Sequence, residues 1–310
     1  MKVLVTPRSV TRDGHLSLDG LREAGCEIVF CTAGKQPGED ELRELLPGCA
    51  GWIAGVEKIT ARVLDAADTL RVISRNGSGV DNIDLAAAEV RGVAVLRADG
   101  ANARGVAELT IAQVFALARG TVAADAAMKR GAWERGAAGV EIDGKILGII
   151  GCGSIGKLVA RMALGCGMKI LAFDPSPDAF DPGPAFRFRP FDEVVASADF
   201  LSLHCPPAPD GRPVLDASAL SRMKRGAFLI NTARYDVFDA AAVLAALDSC
   251  HLGAVALDAF DSEPPRDTRL PRHPRVLATP HTGGFTRESI DRTMAVAVEN
   301  LRRSLLATPR

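Results

Sequence analysis

A glycine-rich loop between two apolar runs is the feature that most restricts how this chain can fold. The first run covers residues 146–150, and Gly151, Gly153 and Gly156 then complete the pattern G-x-G-x-x-G. A helical stretch and a second apolar run follow, and that run ends at Asp174, 23 residues after Gly151. This order predicts a strand–turn–helix–strand unit that binds a dinucleotide.

Each part of the unit has a physical role. Gly151 permits a tight turn, Gly153 lets the backbone approach a pyrophosphate, and Gly156 allows close packing of the helix on the strand. The first residues of the helix, Ser154 and Ile155, carry free N–H groups. These groups and the helix dipole attract the negative charge of a phosphate.

The acidic residue at the end of the second run indicates which dinucleotide is bound. The carboxylate of Asp174 accepts hydrogen bonds from an adenosine ribose and repels a 2′-phosphate, which predicts NAD rather than NADP. Two alternatives stay open at this point, because a chain with 30 glycines produces such patterns by composition. One is a tight turn without a ligand, and the other is the S-adenosylmethionine site of a methyltransferase.

Length and composition predict two domains in a cytoplasmic protein. A chain of 310 residues exceeds one typical core, and its net charge of −1 gives no field that would attract nucleic acid or membranes. No signal peptide or run of 18 apolar residues is present. The seven cysteines form no C-x-x-C pair, so we expect reduced, mostly buried thiols and no metal site. Cys152, inside the glycine loop, is interpreted as a small filler residue.

Apolar runs and helical stretches alternate along the chain, which predicts an α/β protein with doubly wound parallel sheets. Strands are predicted at 2–6, 26–30, 51–55, 70–75, 93–98, 146–150, 169–173, 199–203, 227–231, 253–257 and 275–278. Helices are predicted at 16–24, 39–46, 60–67, 84–91, 102–119, 121–130, 155–165, 191–197, 216–223, 239–248 and 285–306. Residues 174–190 are rich in proline and predict an ordered irregular connection. The last helix has no obvious place in the second unit, so we expect it to pack on the first.

Three candidate catalytic groups follow predicted strands in the last third of the chain: Arg234, Glu263 and His281. Ligands bind beyond the carboxyl ends of strands in open α/β sheets, so these loops are expected to converge. His281 is suited to take a hydroxyl proton, Glu263 to orient its ring, and Arg234 to bind a carboxylate with two parallel hydrogen bonds. Taken singly, the three residues are also explained as a surface charge, a turn residue and a buried hydrogen-bonding group.

Several dispersed motifs resemble the D-2-hydroxyacid dehydrogenase family over nearly the whole chain. The matching stretches are 74–95, 106–119, 144–175, 229–234, 256–265 and 279–284. The resemblance implies that Arg234, Glu263 and His281 form the catalytic trio. It also implies a Rossmann-type NAD domain, residues 101–284, inserted into a flavodoxin-like substrate domain made of residues 1–100 and 285–310.

The resemblance implies further site residues and a homodimer. It assigns the substrate carboxylate to the turn formed by Asn76, Gly77, Ser78 and Gly79. It assigns cofactor contacts to His204, which shapes a loop beside the adenosine, to Thr232 and Ala233 in the cofactor cleft, and to Asp258 beside the nicotinamide carboxamide. The alanine-rich helix at 102–119 and its successor match the segment that builds the dimer interface.

Within the family the chain is most similar to the phosphoglycerate dehydrogenase-like branch. Arg75 and Arg135 match positions that hold a phosphate there, although an exposed arginine is ordinarily a solvated charge. Tyr235 and Asp236 replace two usual glycines, and Asp236 would disfavour a second anion if it pointed into the pocket. Serine replaces a common arginine at Ser154. We expect a short form without the regulatory domain of the long members.

The expected activity is the NAD-dependent interconversion of a small D-2-hydroxy acid and its 2-oxo acid. The substrate is 3-phosphoglycerate with 3-phosphohydroxypyruvate in one reading, and hydroxypyruvate, glyoxylate or another 2-oxo acid in the alternative. A remote alternative is an NAD(H)-sensing binding module similar to the transcriptional corepressors among the family's relatives. A methyltransferase would leave the three candidate catalytic groups unexplained.

Overall fold

The computed structural model describes residues 1–135 and 138–306. Helices and strands alternate along them, and the chain divides into two compact units. The first unit comprises Met1–Asn102 and the residues from Thr286 onward, and the second comprises Ala103–Phe285. The predicted division into a substrate domain of residues 1–100 and 285–310 and an NAD domain of residues 101–284 stays a prediction.

Five parallel strands form the centre of the first unit. They are β1 (Lys2–Val5), β2 (Glu27–Phe30), β3 (Cys49–Ala54), β4 (Val72–Arg75) and β5 (Ala94–Arg97). Their order in the sheet is β2-β1-β3-β4-β5, the order of flavodoxin-like folds. The winding reverses between β1 and β3, and open sheets of this kind bind ligands beyond the carboxyl ends of such strands.

Short helices connect these strands. They are α1 (Arg8–Thr11), α2 (Asp19–Glu23), α3 (Glu39–Leu45), α4 (Ala61–Leu64) and α5 (Leu85–Val90). Every residue of β3 is buried, as expected for the central strand of a parallel sheet with both faces covered. The wholly buried Trp52 of β3 packs in an apolar cluster with Leu42 and Leu46.

The second unit is built on seven parallel strands. They are β6 (Ile146–Ile150), β7 (Lys169–Phe173), β8 (Phe186–Phe188), β9 (Phe200–Leu203), β10 (Ala227–Asn231), β11 (Leu252–Leu257) and β12 (Val276–Ala278). Its helices are α6 (Ala103–Arg119), α7 (Thr121–Lys129), α8 (Ser154–Gly165), α9 (Phe191–Ser197), α10 (Ala217–Arg222) and α11 (Ala240–Asp248). The strand order β12-β11-β10-β9-β6-β7-β8 is that of a Rossmann sheet with one added edge strand. The predicted fold class, α/β with two parallel sheets, is confirmed.

The prediction of an irregular connection over residues 174–190 was wrong at β8. This strand of three residues pairs with β7 at the edge of the sheet. Phe186 meets both Phe180 and Phe188 edge-on, with ring centroids 5.2 and 5.0 Å apart. The strand is stabilised by this aromatic cluster and is too short to show an alternating pattern of apolar residues. Its sequence therefore resembles that of a loop.

The sequence prediction also missed short helices in both units. The stretch predicted as one helix at 16–24 is a 3-10 helix, Leu16–Leu18, followed by α2. Helix α1 and a second 3-10 helix at Tyr235–Val237 were not predicted. These short elements lack the repeated apolar spacing that identifies longer helices.

No single helix in the described ranges is both long enough and apolar enough to cross a membrane. Helices α6 and α7 together pass that test on length and composition, but they are bent by 66° at the break between them. Gly120 lies at this break with φ 59°, a left-handed conformation that glycine adopts readily.

The last helix, α12 (Arg287–Leu306), packs on the sheet of the first unit. Its buried residues Met294, Ala297, Leu301 and Leu305 share an apolar cluster with residues of β1, β3 and β4. The contact is close, because a Cβ atom on Gly51 of β3 would lie 2.8 Å from the Leu305 side chain. The chain therefore completes its first core with its last helix.

Shortening a buried side chain on this face of α12 should destabilise the first unit. Leu301 is fully buried, so Leu301→Ala is expected to lower the free energy of unfolding by about 2–5 kcal/mol. The half-exposed Val296 of the same helix provides the control, and Val296→Ala should cost well under half as much. Urea unfolding followed by tryptophan emission measures both, because Trp52 leaves a buried environment on unfolding whereas Trp133 is already exposed. Equal losses in the two variants would contradict this account of the packing.

Candidate active site

The glycine loop joins β6 to α8 in a conformation that larger residues cannot adopt. Gly151 has φ 92°, and a Cβ atom there would lie 2.7 Å from the backbone of His204 and Cys205. A Cβ atom on Gly156 would lie 2.2 Å from the carbonyl oxygen of Gly151. Both glycines are therefore required by close packing of the strand, the turn and the helix.

Gly153 differs from its neighbours because space is open beside it. Apart from Gly153 itself and the residues next to it in the chain, no atom of the described residues lies within 4 Å of where a Cβ atom would be. The helix α8 begins at the next residue, so the N–H groups of Ser154 and Ile155 lie in its first turn. An open backbone at a helix N-terminus fits the pyrophosphate of a dinucleotide.

Asp174 lies at the end of β7, where the sequence predicted it. Its Oδ2 accepts a hydrogen bond of 2.8 Å from the Cys152 backbone N–H, and its Oδ1 accepts one of 2.9 Å from that of Ser176. The carboxylate is thus fixed beside the glycine loop. Its contact with a ribose stays a prediction.

Two side chains near this loop are held in their neutral forms. Burial raises the pKa of the Cys152 thiol to about 11, which supports its interpretation as a filler residue. Burial lowers the pKa of His204 to about 3, and its Nε2 lies 2.8 Å from the Ser202 hydroxyl oxygen. A neutral, anchored imidazole is suited to shaping its loop and unsuited to proton transfer near neutral pH.

Glu263 and His281 come together although 18 residues separate them. The Nδ1 atom of His281 lies 2.5 Å from Oε1 of Glu263, and both side chains are about half exposed. This contact fixes the orientation of the ring through Nδ1, so Nε2 is the ring nitrogen that is left to contact a ligand. The peptide bond after Glu263, to Pro264, is cis.

His281 lies in a strained loop that a buried carboxylate holds in place. Its φ of 53° is uncommon for a residue other than glycine. Asp258, at the end of β11 and 2% exposed, accepts bonds of 2.6 Å from the Thr279 hydroxyl, 2.8 Å from the Thr282 N–H and 2.7 Å from the Gly283 N–H. These donors flank His281 on both sides. We call residues 279–283 the histidine loop.

Gln113 extends this network to helix α6. Its Nε2 donates a bond of 3.3 Å to the Thr279 hydroxyl oxygen, and its side chain is 1% exposed. Neither Gln113 nor Thr279 was predicted as a site residue from the sequence. A polar residue at a buried position of an apolar helix face was the signal available for Gln113.

Arg234 follows β10 in a loop organised by the buried Asn231. The Asn231 amide donates to the Arg234 carbonyl oxygen at 2.8 Å and accepts from the Ala233 N–H at 3.0 Å. Thr232 is anchored separately, with its hydroxyl oxygen 3.1 Å from that of Thr110 in α6. The guanidinium of Arg234 donates to the Ala233 carbonyl oxygen at 2.9 Å.

The two residues after Arg234 that replace the usual glycines of the family, Tyr235 and Asp236, lie in a 3-10 turn. Tyr235 packs edge-on against Phe238, with ring centroids 5.4 Å apart, and burial raises its pKa. Asp236 is exposed.

The predicted substrate groups in the first unit lie just after β4. Arg75 ends that strand, and its guanidinium donates to the Asn76 carbonyl oxygen at 2.5 Å. The Asn76 N–H bonds to the Ala54 carbonyl oxygen of β3, and the Ser78 hydroxyl to the Ala98 carbonyl oxygen at 3.4 Å. Gly77 has φ 148°. The turn at residues 76–79, called here turn 76–79, is thus pinned to the ends of two strands.

The predicted groups are divided between the units. Turn 76–79 belongs to the first unit, whereas Arg234, Glu263 and His281 belong to the second. Arg135 is also in the second unit, in an exposed stretch after α7. Among residues 1–135 and 138–306, no three His, Cys, Asp or Glu residues form a group that could hold a metal ion.

A sequence model of a known family matches more than half of the chain. It describes the D-isomer specific 2-hydroxyacid dehydrogenase, NAD binding domain, and it matches residues 111–283, from α6 to the histidine loop. The chain belongs to this family. The matched range includes the glycine loop, Asp174 and all three candidate catalytic groups, so the second unit contains the NAD-binding domain of a D-2-hydroxyacid dehydrogenase.

Individual relatives agree with this assignment. Human D-3-phosphoglycerate dehydrogenase is 37% identical over 276 residues, which cover 88% of this chain and 51% of the relative. Hydroxypyruvate reductase of Thermotoga maritima is 36% identical over 272 residues, covering 86% of this chain and 88% of that protein. The TT0316 protein of Thermus thermophilus has a similar crystal structure, with a TM-score of 0.88, 37% identity and coverage of 99% and 97%. The chain spans about half the length of the phosphoglycerate dehydrogenases that it matches.

The residue at the end of β7 should decide which nicotinamide cofactor this family member prefers. Asp174→Ala is expected to raise the ratio of kcat/KM for NADPH to that for NADH by about tenfold. The substitution removes the charge that repels the 2′-phosphate of NADPH. It also removes the charge-assisted bonds to the ribose of NADH, which are worth about 1.5–3 kcal/mol. Steady-state kinetics with the two cofactors measure this ratio. Asp178, exposed and four residues further on, provides the control through Asp178→Ala. An unchanged ratio in Asp174→Ala would assign the discrimination elsewhere.

Proposed function

We propose that this protein is an NAD-dependent dehydrogenase that interconverts a small D-2-hydroxy acid and its 2-oxo acid. The observation that supports this most strongly is the contact of 2.5 Å between Glu263 and His281 in the unit that carries the glycine loop. Neither the glycine loop nor the pair alone specifies the reaction. Together they supply a cofactor site and a proton-transfer group.

His281 would take the hydroxyl proton during oxidation and return it during reduction. Glu263 accepts a hydrogen bond from Nδ1, so Nε2 is the atom that exchanges the proton with the substrate oxygen. The carboxylate of Glu263 also stabilises the imidazolium that forms. When bound, NAD supplies the acceptor of the hydride. Arg234 would bind the substrate carboxylate and polarise the 2-oxo group.

The remaining predicted residues would bind the two ligands. We assign the pyrophosphate and the ribose to the glycine loop and the residues near it: Gly151, Gly153, Ser154, Ile155, Gly156 and Asp174. We assign the rest of the cofactor to four further residues: Thr232, Ala233, His204 and Asp258. In turn 76–79 the N–H groups of Asn76 and Gly77 donate to the Ala54 and Arg75 carbonyl oxygens, so the backbone N–H groups of Ser78 and Gly79 are the ones suited to a carboxylate. Because its bonds to neighbouring strands fix this turn, the carboxylate would be oriented without ordering a mobile loop.

Removal of the imidazole should slow the chemistry strongly while leaving the cofactor site intact. We expect His281→Ala to lower kcat by about 10²-fold or more and to leave the Kd for NADH within about twofold of that of the native protein. Turnover is measured with NADH and a panel of glyoxylate, pyruvate, hydroxypyruvate and 3-phosphohydroxypyruvate, and binding by NADH fluorescence. His273, in the same unit, provides the matched control as His273→Ala.

Two outcomes would count against this function. Near-normal turnover in His281→Ala would remove the proposed proton-transfer role. Tight NADH binding by the native protein without reduction of any 2-oxo acid would instead favour an NAD(H)-sensing binding module.

We further propose that the protein forms a homodimer through α6, α7 and the stretch after them. This segment exposes a set of large apolar side chains: Phe115, Val122, Met128, Trp133 and Val140. Exposed apolar side chains grouped along one segment are typical of a protein–protein interface. Cytoplasmic location is part of the same proposal, supported by the geometry of the seven cysteines, all of which are free of disulfide bonds in the structure.

A charge placed in this segment should separate the subunits. Val122→Glu is expected to shift the protein from dimer to monomer in sedimentation velocity, because an unpaired carboxylate would be buried at the interface. Val90→Glu is the control, since Val90 is even more exposed but lies in the first unit. A native protein that sediments as a monomer would refute the proposal.

A further inference from the structure

Helix α6, whose residues all lie in the described part of the chain, buries two polar side chains. Thr110 and Gln113 are 0% and 1% exposed. Thr110 donates its hydroxyl hydrogen to the Val106 carbonyl oxygen at 2.9 Å, so its donor is satisfied within the helix. Gln113 instead donates from Nε2 to the Thr279 hydroxyl oxygen, outside the helix. A buried amide is costly on an apolar face, so Gln113 needs an explanation other than the packing of α6.

One face of α6 supports both the loop after β10 and the histidine loop. Val106, Thr110 and Gln113 follow one another at intervals of four and three residues, which places them on one side of the helix. The Thr110 hydroxyl oxygen lies 3.1 Å from that of Thr232, in the loop after β10. A Cβ atom on Gly283, at the end of the histidine loop, would lie 3.4 Å from the Val106 side chain. The bond from Gln113 adds a third contact of this face, at the start of the histidine loop.

Thr279 links Gln113 to the backbone of His281. The Thr279 N–H donates to the Leu257 carbonyl oxygen of β11 at 2.9 Å, and the Thr279 hydroxyl donates to Asp258 at 2.6 Å. The Thr279 carbonyl oxygen in turn accepts a bond of 2.9 Å from the His281 N–H. Gln113 therefore acts on the residue that directly holds the His281 backbone.

The direction of these bonds explains why an amide lies beside Thr279. A hydroxyl group has one hydrogen, and the Asp258 carboxylate at 2.6 Å is a closer and stronger acceptor than the Leu257 carbonyl oxygen at 3.3 Å. The NH2 group of Gln113 can only donate, so it uses a lone pair of the hydroxyl oxygen and leaves the hydrogen for Asp258. A carbonyl oxygen in its place would compete with Asp258 for that hydrogen. The network thus assigns Nε2 to the side of Thr279 and specifies one arrangement of the histidine loop.

The other half of the amide gains nothing from its burial. Oε1 of Gln113 is buried and has no hydrogen-bond partner within residues 1–135 and 138–306. A buried acceptor without a partner lowers stability, so a contribution to the stability of the fold does not explain Gln113. His281 has φ 53°, and such a conformation persists only where several contacts hold it. The bond from Gln113 to Thr279 is one of the contacts that hold this loop.

We propose that Gln113 is a positioning residue: through Thr279 it keeps the histidine loop in the conformation that directs Nε2 of His281 to the substrate oxygen. This inference rests on the proposed dehydrogenase function and adds a residue to the same site. Because Gln113 is buried, it acts through Thr279 rather than by touching the substrate. A small displacement of a proton-transfer group slows the reaction more than it weakens binding, so the effect should fall on kcat.

The test replaces the amide with an apolar side chain of similar length. Gln113→Met keeps the unbranched shape of the residue and removes both Nε2 and Oε1. With NADH and the 2-oxo acid that the native protein reduces fastest, kcat should fall about tenfold, while KM for the acid and Kd for NADH stay within about twofold of the native values. Tm should be unchanged or higher, because the unpartnered oxygen is gone. Gln36→Met makes the same change at an exposed position and should alter none of these quantities.

Two further measurements separate positioning from a general disturbance. Thr279→Val removes the hydroxyl group, and in that background Gln113→Met should change kcat by less than about twofold, because Nε2 has lost its acceptor. The second measurement uses NADH deuterated at the transferred hydrogen. If the chemical step is the one that slows, the isotope effect on kcat in Gln113→Met is at least as large as in the native protein.

Each result bears on one proposal. A native kcat in a folded Gln113→Met protein would overturn the positioning role and leave the dehydrogenase function standing. A loss of kcat that comes with a lower Tm and weaker NADH binding, that persists in full in the Thr279→Val background, or that shows a smaller isotope effect would overturn the role as well. A native protein that reduces no 2-oxo acid of the panel would refute the dehydrogenase function, and with it this role, before any variant is made.

Discussion

The bonds that the Asp258 carboxylate accepts set the geometry on which the candidate site depends. A carboxylate removed from water is costly unless donors surround it, and the donors here are a hydroxyl and two N–H groups of the histidine loop. They hold the loop on both sides of His281, whose left-handed backbone conformation is itself unfavourable by about 1–3 kcal/mol. The Glu263 contact then orients a ring whose backbone position is already fixed. Asp258 therefore acts on the position of His281 through the histidine loop.

Much of the fold follows from patterns that extend over many residues. The alternation of apolar runs with helical stretches predicted two parallel sheets, since a strand buried on both faces is apolar along its whole length, as β3 is. The short elements were missed for a corresponding reason. Strand β8 has three residues and depends on Phe180, which lies outside it, so no local pattern identifies the strand.

The residues of the candidate site also differ in whether a pattern in the sequence predicts them. Glu263 and His281 were identifiable because each follows an apolar run and belongs to a family motif, and the structure places them in contact. Gln113 carries no such mark. Its partner Thr279 lies 166 residues further along the chain, and only the folded protein brings the two side chains together.

The packing of α12 on the first sheet has a consequence for the order of synthesis. All the strands of the first sheet, and then the whole of the second unit, leave the ribosome before this helix does. During that interval Val3, Ile53 and Val72 lack the Met294 and Leu301 side chains that share their cluster in the finished protein. The nascent chain thus carries a complete Rossmann unit while one apolar face of the first sheet is covered only in part, by Val10, Leu18 and Leu21, and that face is where a chaperone that binds exposed apolar surface would act.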